Sequence, residues 1–337
     1  MSLRGKLSEY RWRERTVHPG REHPDQQFYV IRRHANRAGL FSFVSTNLGS
    51  IVEAVEKGYT PVIDMQNSPN PMLTEDEVGK VNAWDRFFLP PCGYTLEDIR
   101  HARNVTLGSI HPPANEHFPE YRMLEDPGEL AFWREAAEKY LKLRPEIEAE
   151  IETYCEKELR MHDASPLREA ALKDAASDNP AAGAGEASGT CTAGGRILGV
   201  LCRGTDYVQL RPHGHPVQPF VEDVIAKCRE VMREQDCRLI YLCTEDAAIW
   251  DAVNAAFPGQ VKSYQKLRVS VNENENVNDV MNRLAGPYER NREYLISIGI
   301  LSRCDCLVAG AAGGTYGALL LTKGYDYEYV FRLGRYE

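Results

Sequence analysis

The sequence predicts an α/β protein built on parallel β-sheets, because short apolar strands alternate with amphipathic helices along most of its 337 residues. Phe28–Arg33 (FYVIRR) and Thr60–Met65 (TPVIDM) read as strands on either side of a helical segment, the local signature of a parallel pair. Arg196–Cys202 (RILGVLC) is a continuous apolar run, as expected of a strand buried on both faces. The residues after it repeat the strand–helix alternation, which predicts a Rossmann-like sheet.

Two long helical regions are predicted before that repeat. Leu40–Lys57 has helical periodicity and ends at Gly58, a favourable residue for a helix C-terminus. Pro127–Arg160 is rich in strong helix formers, and Pro145 should begin a second helix within it, since proline is accepted in a first turn.

The repeat itself supplies the remaining elements. We expect strands at Arg238–Cys243 and Asp305–Ala309. We expect helices at Phe220–Gln235, Ala247–Phe257 and Arg292–Arg303. Thr244 is a candidate cap for the helix after it, with Glu245 and Asp246 in the first turn. Gly310–Gly317 is predicted as a Gly-rich loop, and Ala318–Lys323 as the helix that follows.

Asp163–Gly195 differs in composition from the rest of the chain. It consists mainly of Ala, Gly, Ser, Asp and Pro, as flexible linkers do. We therefore expect an N-terminal domain over residues 1–162, a flexible linker or insertion over 163–195, and a C-terminal domain over 196–337.

Composition and charge exclude several classes of protein. With 43% hydrophobic and 26% charged residues the chain is typical of a globular protein, and a net charge of −9 argues against nucleic acid as a partner. No stretch of about 18 apolar residues exists to cross a membrane. The arginine-rich N-terminus has no apolar run behind it, so we read it as a solvated tail or a weak anchor to anionic lipid, not a signal peptide. Nine cysteines without paired CxxC motifs fit reduced thiols in a cytoplasmic protein.

The first candidate site residues follow Arg196–Cys202, because ligands of such sheets bind beyond the carboxyl ends of the strands. Arg203 can direct two N–H donors at phosphate oxygens, and Gly204 lets the backbone approach a ligand. Asp206 can orient Arg203, bind a sugar hydroxyl or accept a proton. The alternative is a structural Arg–Asp pair at a turn.

Two further strand ends complete the candidate site. In Thr244–Asp246 a carboxylate can accept hydrogen bonds from a nucleoside, although helix capping explains the same residues. In Gly310–Gly317 main-chain N–H groups can bind an anion, although glycines also serve tight strand–helix packing. Together the three ends predict an anionic nucleotide ligand on one sheet.

Four peptides of the second half resemble those of one enzyme family. Val200–Tyr207 (VLCRGTDY) resembles an H-x-R-x-x-D peptide, and His215–Val217 resembles an H-P-I segment. Tyr241–Asp246 (YLCTED) is similar to F-L-A-T-D-D, and Leu301–Val308 (LSRCDCLV) to L-S-x-A-D-F-L-V. In this order, over roughly residues 196–321, they resemble the fucosyltransferase superfamily, which includes α1,6-, nodulation, α1,2- and protein O-fucosyltransferases.

The resemblance implies a GT-B architecture, in which two Rossmann-like domains face a central cleft. It implies inverting transfer from GDP-fucose to a glycan acceptor without an essential metal or cofactor, and a role in polysaccharide biosynthesis. By this resemblance, Arg203 neutralises the donor diphosphate and acts in catalysis, and Asp246 contacts the nucleoside. Asp206 is the candidate general base. The other candidate donor-binding residues are Gly204, His215, Ala312, Gly313, Gly314 and Thr315.

The sequence departs from the family at three positions. The family histidine falls near Leu201, the second arginine of its R-R pair falls on Gly204, and the catalytic glutamate of the α1,6 branch falls on Arg211. These departures keep three alternatives open: another nucleotide-sugar donor, a catalytically inactive nucleotide-sugar-binding module, and a Rossmann-like scaffold without a nucleotide site.

Overall fold

Two β-sheets and seven α-helices make up the described part of this computed structural model, which covers residues 12–35, 38–110, 117–159, 195–203, 211, 213–270, 280–281 and 284–337. The strands are β1 (Arg15–Val17), β2 (Phe28–Arg32), β3 (Thr60–Asp64), β4 (Val105–Leu107), β5 (Arg196–Leu201), β6 (Cys237–Cys243), β7 (Val261–Lys262), β8 (Cys306–Gly310) and β9 (Tyr327–Phe331). The helices are α1 (Leu40–Glu56), α2 (Pro127–Tyr140), α3 (Pro145–Lys157), α4 (Val221–Glu234), α5 (Ala247–Ala256), α6 (Pro287–Leu301) and α7 (Gly313–Leu321). The predicted α/β class with parallel sheets is confirmed.

The first sheet has the strand order β1-β4-β2-β3. β2 runs parallel to both β3 and β4, whereas the edge strand β1 is antiparallel to β4. Alternate side chains of β2 face opposite sides: Phe28 and Val30 pack with Ile99, while Ile31 packs in the cluster that contains α1.

The second sheet is entirely parallel, with the order β7-β6-β5-β8-β9. The chain moves outward from β5 through β6 to β7, then returns to β8 on the other side of β5. Helices α4 and α5 cover one face, and α6 and α7 contribute to the cluster on the other. This is the order of a Rossmann-type sheet, and its direction reverses between β5 and β8.

Two helices that precede β5 in the chain pack on the helices of the second sheet. α2 lies against α7, where Arg134 Nε donates to the Leu319 carbonyl at 2.9 Å. α3 lies against α6, where Arg303 pairs with Glu148 and with Glu152. One continuous cluster of buried side chains therefore joins α1, α2 and α3 to α6 and α7. The predicted domain boundaries stay a prediction, and 163–194 of the predicted linker lies outside the described residues.

The predicted loop at Gly310–Gly317 is wrong in its second half, because α7 begins at Gly313. The glycines here serve helix packing rather than a loop. A Cβ on Gly317 would overlap the Phe41 ring, and one on Gly314 would overlap the Tyr294 hydroxyl and lie 2.9 Å from Leu201 Cδ1. Glycine lets α7 approach its neighbours this closely despite its low helix propensity.

Two other predictions need correction. The cap of α5 is Asp246, not Thr244, whose Oγ1 instead accepts from the Asp246 N–H at 3.2 Å. The sequence reading also gave no strand at Tyr327–Phe331, because charged and polar residues interrupt that segment, yet it forms the edge strand β9. No described helix combines the length and apolar composition needed to cross a bilayer.

Candidate nucleotide-sugar site at the carboxyl edge of the second sheet

The candidate site lies where the strand order reverses. β5 and β8 are parallel neighbours, with Leu201 opposite Ala309, and β6 borders β5 on its other side, with Cys243 opposite Leu201. The three predicted strand ends therefore emerge side by side at one edge. The connections after β5 and β8 lead to helices on opposite faces, which opens a crevice between them.

Arg203 emerges from the middle of this edge. The main chain before it stays in register past the strand, since the Cys202 N–H donates to the Cys243 carbonyl at 3.2 Å. The Arg203 side chain is partly exposed. Gly204 and Asp206 lie outside the described residues, so the proposed Arg203–Asp206 relationship stays a prediction.

The N-terminus of α7 follows β8, the parallel neighbour of β5, so it lies at the same edge of the sheet as Arg203. Its first residue is preceded by Ala312, and no described side chain caps the helix. Thr315 is fully buried and its hydroxyl donates to the Gly310 carbonyl at 2.5 Å, so its side chain does not face the crevice. What this segment offers a ligand is the main-chain N–H groups of the first turn, at the positive end of the helix dipole.

Gln218 holds the loop between β8 and α7 in place, a role the sequence reading missed. It is 4% exposed, and its Nε2 donates to the Ala311 carbonyl at 2.7 Å and to the Pro216 carbonyl at 3.1 Å. A Cβ on Gly310 would lie 2.5 Å from Gln218 Oε1, so a larger residue here would displace the Gln218 side chain. Nothing in the sequence distinguishes Gln218 from the polar residues around it.

His215 lies in an exposed turn that is tied to the end of the chain. Its carbonyl accepts from the Tyr336 N–H at 2.9 Å, and Pro216 pairs with Arg335. Its side chain is exposed. The main chain from His215 leads to Gln218, which connects this turn to the edge of the sheet.

Asp246 lies after β6 but is occupied in capping α5. It is 4% exposed, and its Oδ1 accepts from the N–H groups of Ala248 at 2.8 Å and Ile249 at 3.2 Å. Burial, with the Asp246 charge nearby, raises the pKa of the Cys202 thiol to about 12. Cys202 is therefore a neutral packing residue beside the site and not a nucleophile.

The segment after β7 runs along the same edge. The Val269 N–H donates to the Glu245 carbonyl at 2.9 Å, and the Ala247 N–H donates to the Val269 carbonyl at 3.2 Å. The neighbouring Arg268 lies over the indole of Trp250, with its Cζ 3.7 Å from the ring centroid. The sequence reading missed this pair, because the two residues are 18 positions apart and only the fold brings them together.

The first sheet reaches this edge through the residues that follow its strands. Phe41, at the start of α1, packs against Gly313 and Gly317 of α7. After β3, the Pro71 carbonyl accepts from Asn291 Nδ2 on α6 at 3.2 Å. Residues after β2 and β3 therefore border the helices that begin at the candidate site.

Metal ligands are not grouped anywhere in the described part of the chain, where no three His, Cys, Asp or Glu side chains lie together as a metal site requires. The prediction that the reaction needs no metal stays a prediction.

Comparison with known proteins gives structural similarity only. No family model matches the sequence, and no curated protein matches it. Among solved structures, the chain is similar to the NodZ α1,6-fucosyltransferase of Bradyrhizobium soaked with GDP-fucose, at 18% identity and a TM-score of 0.45, over 88% of this chain and 93% of that one. It is also similar to FUT1 of Arabidopsis thaliana in complex with GDP, at 10% identity and a TM-score of 0.48, over 90% and 70% of the two chains. A third is POFUT1 in its apo form, at 10% identity and a TM-score of 0.44, over 91% and 98%.

Proposed function

We propose that this protein is a glycosyltransferase that transfers a sugar, fucose in the first instance, from a GDP-sugar to a glycan acceptor. The observation that carries the proposal is that Arg203 and α7 follow the neighbouring parallel strands β5 and β8, at the point where the strand order reverses. That point is where open α/β sheets bind nucleotides. Of the peptides that resemble those of fucosyltransferases, Tyr241–Asp246 and the described part of Val200–Tyr207 lie at the carboxyl ends of β6 and β5, whereas Leu301–Val308 leads into the amino end of β8.

The proposed chemistry follows from the charges that develop. Breaking the bond between the sugar and the diphosphate leaves positive charge on the anomeric carbon and negative charge on the leaving phosphate. Arg203 and the N–H groups of α7 are placed to stabilise that negative charge, a role that metal ions fill in other enzymes. We propose inversion at the anomeric carbon, with Asp206 accepting the proton of the acceptor hydroxyl.

The departures from the family pattern differ in what they affect: the missing histidine removes one contact of the family site, and the missing glutamate affects the acceptor chemistry. Leu201, where the family has histidine, is a buried core residue of β5. Arg211, where the α1,6 branch has its catalytic glutamate, is exposed, with a φ of +40°. An arginine cannot serve as a base at neutral pH, so the acceptor chemistry of that branch does not transfer.

The test compares the binding of GDP, UDP and CDP by calorimetry and by thermal shift, each with and without magnesium. We expect GDP to bind most tightly, with little effect of magnesium. A ligand at 100 times its dissociation constant stabilises the folded state by about 2.7 kcal/mol, so the shift in melting temperature is measurable. An absolute requirement for magnesium, or equal binding of all three nucleotides, contradicts the proposal.

Activity separates the enzyme from an inactive binding module. Incubation with GDP-fucose, with and without candidate glycan acceptors, should release GDP. A protein that binds GDP-fucose but neither hydrolyses nor transfers it is the binding module instead.

A further inference from the structure

Arg268 has a buried Nε atom without a hydrogen-bond partner among the described residues. Its side chain is half-buried. Burial lowers the pKa of the guanidinium, and the nearby charges of Glu293 and Asp251 offset that effect only in part. A buried donor left unpaired costs stability, but Arg86 and Arg196 carry one as well, so the case for a ligand at Arg268 rests on its stacking and on its place at the carboxyl edge.

The stacking on Trp250 fixes how Arg268 is presented. With its Cζ 3.7 Å from the ring centroid, the guanidinium is held against the indole by cation–π attraction. One face of the guanidinium is thereby covered. Of the Arg268 nitrogens, only Nε is fully buried without a partner. The two terminal nitrogens of the guanidinium remain accessible from the surface. The side chain is thus a positioned pair of N–H donors.

The position of Arg268 matches that of a nucleobase. The proposed diphosphate site lies at the ends of β5 and β8, and Arg268 lies next to Val269, which pairs with Asp246 beyond the end of β6. Neighbouring strands are about 4.8 Å apart, so two strand spacings place Arg268 roughly 10 Å from the phosphates. A ribose spans that interval, which leaves the base of a bound nucleotide beside Trp250 and Arg268.

We propose that Arg268, held against Trp250, recognises the guanine base of the donor through the base's O6 and N7 atoms. This inference rests on the proposed function and names the residue that selects the nucleotide. Guanine presents two acceptors on that edge, which a guanidinium matches with two parallel N–H bonds. Adenine presents a donor in place of O6, and the pyrimidines have no N7, so neither pairs with Arg268 in this way.

The test uses 7-deaza-GDP, which lacks the N7 acceptor, and ADP, whose base has an amino group in place of O6. Binding of GDP, 7-deaza-GDP and ADP is measured by calorimetry on the wild type and on Arg268→Met and Arg268→Lys. Methionine keeps much of the apolar stem over the indole, and lysine keeps the charge without the fork. The matched control is Arg229→Ala, which removes a guanidinium 5.6 Å from the Phe257 ring at the opposite end of α5.

We expect the wild type to bind GDP more tightly than 7-deaza-GDP or ADP. Arg268→Met should weaken GDP binding roughly 10- to 100-fold and bring the affinities for GDP and 7-deaza-GDP together, since the N7 contact no longer exists. Arg268→Lys should recover only part of the loss, and Arg229→Ala should behave as the wild type. Melting temperatures of the unliganded variants show that each is folded.

The outcomes separate this inference from the proposed function. If the wild type selects GDP and Arg268→Met keeps the same preference for GDP over 7-deaza-GDP, Arg268 does not contact the base, and the proposed function stands. If the wild type binds none of the nucleotides, the proposed function fails and this inference fails with it.

Discussion

Arg203 is the residue on which the proposed donor site depends. It follows a strand that is buried along most of its length, so its backbone is fixed by the sheet while its side chain reaches the carboxyl edge. An arginine there can hold a diphosphate with two N–H donors in one plane. A purely structural role would instead make it a stabilising partner of the turn after β5.

Substitution of Arg203 distinguishes the two roles. Arg203→Ala should lower turnover ~100- to 1,000-fold, because it removes a donor whose stabilisation is felt mainly in the transition state. Arg203→Lys should not restore activity, since lysine keeps the charge but loses the planar pair of donors. GDP affinity and melting temperature are measured on both variants. An unchanged affinity with a lowered melting temperature would show that Arg203 is structural.

Residues of this site differ in how visible they are in the sequence. Arg203 was predictable because an apolar run ends immediately before it. Asp246 was predicted to contact the nucleoside, and that stays a prediction. Its 4% exposure and its hydrogen bonds from the Ala248 and Ile249 N–H groups show a helix cap, which a peptide pattern does not separate from a ligand contact. Arg268 and Trp250 carry no local signal, because their contact exists only once the segment after β7 has folded against α5.

At the scale of elements, the inner strands β5, β6 and β8 of the second sheet were predictable, whereas the edge strand β9 and the start of α7 were not. Continuous apolar runs mark β5 and β6, because strands covered by helices on both faces need apolar residues throughout. In α7 the glycines suppressed the helical signal. Their reason is tertiary: Phe41 from α1 occupies the space that a side chain at Gly317 would need.

The variant Gly317→Ala tests this explanation. Overpacking costs about 1–3 kcal/mol. The overlap with the Phe41 ring places this site at the upper end, above the roughly 1 kcal/mol that alanine gains in helix propensity. We therefore expect a lower midpoint in urea unfolding.

Relief of the overlap provides the control. In a Phe41→Leu background the ring is gone, so Gly317→Ala should cost less than in the wild type. Equal costs in the two backgrounds would place the origin of the effect elsewhere.

For the whole molecule, the central question is whether the two halves of the chain are independent. The compositional break at Asp163–Gly195 predicted separate domains, yet α2 and α3, which precede it, pack on α7 and α6. Composition marks where a chain can be interrupted. It does not show which surfaces the elements on either side will cover, because that depends on packing between residues far apart in sequence.

The packing predicts that residues 196–337 do not form a stable domain alone. Removal of α2 and α3 takes away Trp133, Ile147 and Ile151, each at most 1% exposed, and uncovers the faces of α6 and α7 beneath them. Burial of one such side chain contributes about 1.5–3 kcal/mol, so three approach the 5–15 kcal/mol by which a whole protein is stable. We expect the 196–337 fragment to lack a near-ultraviolet circular dichroism signal and a cooperative melting transition, whereas the full chain melts in one transition. A fragment beginning at residue 117 keeps both helices and should regain part of the cooperativity. A sharp transition in the 196–337 fragment would instead show that α2 and α3 are dispensable and that the second sheet, with its own helices, is a domain by itself.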